Sequence, residues 1–114
     1  MLIANLGALK KTVQAAIDTL EWMKTDPHKI NCLEDAHEYL DEGHEDLKTD
    51  GIDKGIPSAA QSMEKALKRL QLAKEYCINS NKDDGPDVVN DLIIAQCNAI
   101  IPILDSTIEK ALAR

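Results

Sequence analysis

The sequence predicts an all-α, four-helix bundle of mostly up-down topology, and three observations carry that reading. Apolar residues recur at helical spacing in four separate stretches. Proline and capping residues punctuate the chain between those stretches. The apolar content is 44%, with no Phe and only Trp22, Tyr39 and Tyr76 as aromatics, so the core is aliphatic and suits helices packed along long seams. At 114 residues the chain is long enough for one modest core, and residues 1–114 are expected to form a single domain.

The first helix is the clearest. Leu2, Leu6, Leu9, Val13, Ala16, Leu20 and Met23 follow a 4-3-4-3 spacing along one stripe. It should stop near Lys24, because Pro27 biases Asp26 out of the α region and Asp26-Pro27 offers a cap and a first residue. A short turn over 28–30 is expected next, then a second start at Asn31, where Asn31 and Glu34 have capping-box spacing. Helix 2 should run to about Lys48 with Leu33, Ala36, Leu40 and Leu47 on its apolar side, where Gly43 would let another backbone come close.

The stretch 49–57 carries two glycines and a proline and reads as a loop anchored by Ile52 and Ile56. Ser58 to Gln61 has capping-box spacing and should open helix 3, which would end near Ile78 with Met63, Leu67, Leu70, Ala73 and Cys77 as its stripe. Residues 79–87 are the most polar and turn-rich stretch, and Pro86 is suited to the first position of helix 4. Helix 4 should reach the C-terminus, with Val89, Ile93, Ile100 and Leu104 in its main stripe. Ile94, Ile101 and Ile108 form a second row. That arc is wider than one neighbouring pair requires, so helix 4 is either central or uses its second row for self-association into a homo-oligomer. Pro102 removes an interior hydrogen bond but falls on the polar side with Asp91, Asn98, Asp105 and Glu109, which predicts a bend and not a stop.

Charge narrows the function classes. The net charge is −7. Glu34, Asp35, Glu38, Asp41, Glu42, Glu45 and Asp46 fall in one helix with no Lys or Arg among them, and apart from these seven the acids and bases are equal in number. Like charges four apart cost such a helix about a few tenths of a kcal/mol per pair. One reading is a solvated face partly balanced by Lys65, Lys68, Arg69 and Lys74 of helix 3. The other is a docking surface for a protein partner with a basic surface. The overall field disfavours direct nucleic-acid binding, and exposed aromatics for base stacking are few.

His37 and His44 lie seven apart on the same helix, with Asp41 between them. Glu34-x-x-His37 and Asp41-x-x-His44 resemble the Glu-x-x-His pieces of ferritin-like di-iron bundles in spacing only, since those sites draw one piece from each of two helices. Two histidines seven apart are separated by about 10.5 Å of helical rise, too far to share one ion. At most His37 with Asp41, or Asp41 with His44, could chelate with help from elsewhere, and a metal- or small-ligand-binding bundle centred on His37, Asp41 and His44 is the alternative to an interaction module. The neighbouring acids are expected to favour protonated histidines. Phosphotransfer from His44 is disfavoured by the carboxylates around it, and Asp46 to Pro57 fails as a calcium loop, since Lys48 and Pro57 take ligand positions.

No phosphate-binding glycine loop, nucleophile elbow or supported Cys/His pair occurs, so a non-enzymatic role without a cofactor is expected. Cys32, Cys77 and Cys97 are odd in number and widely spaced, and read as small buried residues in a reducing compartment. The lysines of the N-terminal stretch follow its apolar residues, unlike a secretory leader. The richest apolar run, 88–104, is interrupted by polar residues, so no membrane span and a cytoplasmic location are expected.

Overall fold

The computed structural model describes residues 2–113, apart from the side chains of Ile52 and Asp53. Helix α1 spans Leu2–Trp22. A helical run over Pro27–Asp84 follows, interrupted at Gly51, where φ is +79° and ψ 172°. We call its two parts α2 (27–50) and α3 (52–84). Helix α4 is Val88–Leu112. The described chain is thus all-α with four helices, as its periodicity predicts, and no strand occurs among the described residues.

The first junction shows how local chemistry sets helix ends. Thr25 N–H donates to the Leu20 carbonyl (3.0 Å) and Lys24 N–H to the Glu21 carbonyl (2.9 Å), with Lys24 at φ +58°. This is a Schellman closure with a lysine in the left-handed position, so the last carbonyls of α1 are satisfied before the chain turns. It leaves Met23 beyond the last helical turn and 36% exposed, outside the core stripe to which its spacing assigned it. Asp26 caps α2 by accepting from His28 N–H (3.0 Å), and Pro27 takes the first helical position. The cap and proline suffice, so the expected turn at 28–30 and second start at Asn31 do not form; both stretches lie inside α2.

The expected loop over 49–57 is also helical except at Gly51. The physical reason is close packing. An ideal Cβ on Gly55 would stand 2.7 Å from the Asp46 carbonyl oxygen, so only glycine lets the start of α3 pass beneath the end of α2. Ser58, expected as a cap, lies within α3 and donates its hydroxyl to Asp46 Oδ2 (2.7 Å). Pro57 sits in the second turn of α3, where it withdraws one backbone donor. Ile56 packs against the core, as an anchor should, whereas Ile52 lies outside the described side chains.

At the far end α3 continues to Asp84, well past Ile78, and the break is confined to 85–87. Pro86 therefore precedes α4 and does not begin it; the cap is Asp87, whose carboxylate accepts from Val89 N–H (2.8 Å). A polar clamp explains the extension. Asn81 Oδ1 accepts from Asp87 N–H (3.1 Å) and from Asn90 Nδ2 (3.0 Å), while Lys29 donates to Asp87 Oδ2 (3.3 Å). Asn81 is thereby held in the last turns of α3, and α2, α3 and α4 are tied together at one corner.

Between the helices lies one aliphatic core. Leu6, Val13, Leu20, Leu33, Leu40, Met63, Leu70, Ile93, Cys97 and Leu104 are fully buried, each large aliphatic chain contributing about 1.5–3 kcal/mol relative to exposure. Gly43 is buried, and a Cβ on it would meet Ala59 O and Ser62 Cβ at 3.4 Å, the close crossing its place in the apolar stripe predicts. Helix α4 stays helical through Pro102 to Leu112. By length and composition it is apolar enough to cross a membrane, unlike the interrupted run read from the sequence, and here it packs into the bundle through Ile93, Cys97, Ile100 and Leu104.

Candidate functional site

The seven acids of α2 between Glu34 and Asp46 separate into two groups once the neighbouring helices are in place. Asp35 faces Arg69 of α3 (4.0 Å), Asp41 pairs with Lys10 of α1, Glu45 pairs with Lys48 one turn on (3.5 Å), and Asp46 accepts from Ser58. Glu34, Glu38 and Glu42 are exposed and make no ion pair among the described residues. They are spaced i, i+4, i+8 and so form one row along the outer face of α2.

Lys10 is the residue that sequence reasoning missed. Its ammonium pairs with Asp41 and lies 3.4 Å from His44 Nδ1. The hydrogen bond from Lys10 is the chief cause that holds the Asp41 carboxyl below its usual range. His44 moves opposite to expectation. Burial first, then the charges of Lys10 and Lys48, lower its pKa, outweighing the pull of Glu45 and Asp41 in the other direction. The acids near His44 are thus already engaged, and an ammonium occupies the point that an ion bridging Asp41 and His44 would take. His37 is half-buried on the same side of α2. No group of three or more His, Cys, Asp or Glu among the described residues could hold a metal ion.

The basic residues of α3 do not neutralise the acidic row. Lys65 lies over the ring of Tyr39, 5.7 Å from its centroid, which is cation–π distance. Tyr39, Lys65, Lys68, Arg69 and Leu72 line an open groove on the α2/α3 face, with Leu72 47% exposed. A second groove of about 480 Å³, between α1 and α4, is lined mainly by small and aliphatic side chains, among them Ala8, Thr12, Ala99 and Ile103.

In the second row of α4, Ile108 is buried and Ile94 and Ile101 are half-buried against the core. Cys77 and Cys97 are buried and Cys32 is half-buried. Burial pushes the Cys97 thiol up to about 12. The sequence matches no known family model, and no curated protein or solved structure is significantly similar to it.

Proposed function

We propose that this chain is a non-catalytic protein–protein interaction module, a small regulatory, inhibitory or accessory factor that docks a basic partner surface through α2. The observation that supports this is the row Glu34, Glu38 and Glu42. Of the seven acids between Glu34 and Asp46, four have partners within the chain, and these three have none among the described residues. Like charges in such a row cost the isolated helix stability and give a basic partner both steering and register. A cytoplasmic location fits such a role. We also propose the up-down order for the bundle, with α4 bent near Pro102; support for the order comes from Asp46 meeting Ser58, Asp35 meeting Arg69 and Lys10 meeting Asp41, each the pairing of consecutive helices that run in opposite directions.

The test is a pull-down that compares the parent with a variant in which Glu38, Glu42 and Glu45 are all replaced by Lys. Partners retained by the parent and lost by the variant are the expected result. If identical partners come down with both, α2 has no docking role.

A further inference from the structure

We propose that the α2/α3 face binds a second copy of this chain, the acidic row of each copy lying against Lys65 and Lys68 of the other. This rests on the reading of the α2 row as a docking face and names the basic surface that meets it.

The two halves of the face are charge-complementary and share one register. Asp46 meets Ser58, Tyr39 meets Lys65 and Asp35 meets Arg69, so each step up α2 is matched by an equal step down α3. In that register Glu38 lies at a height between Lys65 and Lys68. Three cations in one groove are an exception in a chain of net charge −7. Lys68 is exposed and makes no ion pair among the described residues, and Arg69 reaches Asp35 only at 4.0 Å.

Symmetry then selects one arrangement. A dimer uses the same patch on both copies. With the twofold axis perpendicular to the helices, α2 would oppose α2 and bring carboxylates together. With the axis parallel to the helices, between α2 and α3, each α2 opposes the partner's α3 at the same height. Glu38 then lies between Lys65 and Lys68 of the other copy, with Glu42 about one turn beyond Lys65, and the same attraction recurs in both halves of the dimer. Exposed Leu72 and the half-buried ring of Tyr39 add apolar surface to this face. A standard interface takes about 800 Å² from each partner, and a bundle 47 Å long and 25 Å across can supply that on one broad face.

Sedimentation velocity on the purified full chain at several concentrations tests this, with two charge-swap variants, E38K/E42K and K65E/K68E. All four positions are exposed, and circular dichroism checks that helix content is kept. The parent is expected to dimerise, each variant alone to remain monomeric at concentrations where the parent is dimeric, and an equimolar mixture of the two to recover the dimer. Recovery is specific to this pairing, because the mixture restores opposite charges at both contacts. A parent that stays monomeric, a dimer that survives in both variants, or a mixture that stays monomeric overturns the proposal. A monomeric parent that still loses partners in the pull-down when Glu38, Glu42 and Glu45 are reversed leaves the docking face standing and removes only the self-pairing.

Discussion

Lys10 of α1 forms an ion pair with Asp41 of α2 while its ammonium lies 3.4 Å from His44 Nδ1, so one cation from another helix lowers the pKa of both. Replacing Lys10 by Met should raise the Asp41 pKa toward its ordinary value and raise that of His44 in part, since burial, the larger cause, remains. Proton-detected titration of the two side chains by NMR checks both directions. The loss of stability at neutral pH should be about 1 kcal/mol or less, because Asp41 is half-exposed.

The same site fixes a pH dependence. A histidine whose folded pKa is lowered favours the neutral form in the folded state, so the unfolded chain takes up its proton first. Stability contributed by neutral His44 is complete above about pH 6.5 and declines as pH falls below it. Asp41, depressed in the folded state, adds stability that is present above the ordinary carboxylate pKa and is lost only as pH falls through its lower folded value. Thermal midpoints between pH 8 and pH 5 should therefore fall through the imidazole range, and a His44→Gln variant should flatten that part of the curve.

Gly55 and Gly51 should both resist replacement by alanine, for different reasons. At Gly55 the added Cβ meets the Asp46 carbonyl oxygen at 2.7 Å, and the α2/α3 crossing must open; a cost of about 1–3 kcal/mol is expected. At Gly51 nothing lies within 4 Å, but φ of +79° with ψ of 172° belongs to glycine, at a similar cost of about 1–3 kcal/mol in backbone strain. Urea denaturation measures both. A Gly55→Ala variant as stable as the parent would mean that the two backbones are not in contact.

Asp87 caps α4 and ties it to Lys29 of α2. Its carboxyl is held below the usual range by the Val89 amide first and the Lys29 ammonium second. An Asp87→Ala variant should lower the thermal midpoint at pH 7. The difference from the parent should close as pH falls through the parent's folded Asp87 pKa, where the parent too is without the carboxylate.

Cysteine reactivity should follow burial. Iodoacetamide at pH 8, read by peptide mass spectrometry, should modify half-buried Cys32 before Cys77. Cys97 should react last, because its thiol is pushed up to about 12 and is fully covered.

Helix content and the core stripes were legible in the sequence, because 3.6-residue periodicity is a local property. Leu6, Val13, Leu33, Leu40, Leu70, Ile93 and Leu104 are buried where their spacing puts them. Helix ends were less legible. Glycine, proline and polar residues at 49–57 and 79–84 lower intrinsic helix propensity, yet both stretches are helical apart from Gly51, because Gly55 fits beneath Asp46 and Asn81 is held by Asp87 and Asn90.

By itself the sequence determined that this chain is all-α with four helices and that most of its net charge resides on the second of them. Tertiary structure decided which of those charges find partners on other helices among the described residues. Lys10, Arg69 and Ser58 are distant from the acidic stretch in sequence, and only packing brings them to Asp41, Asp35 and Asp46. Charge pairing acts over a few ångströms of space, whatever the separation along the chain, so the row Glu34, Glu38 and Glu42 emerges only when the helices are side by side.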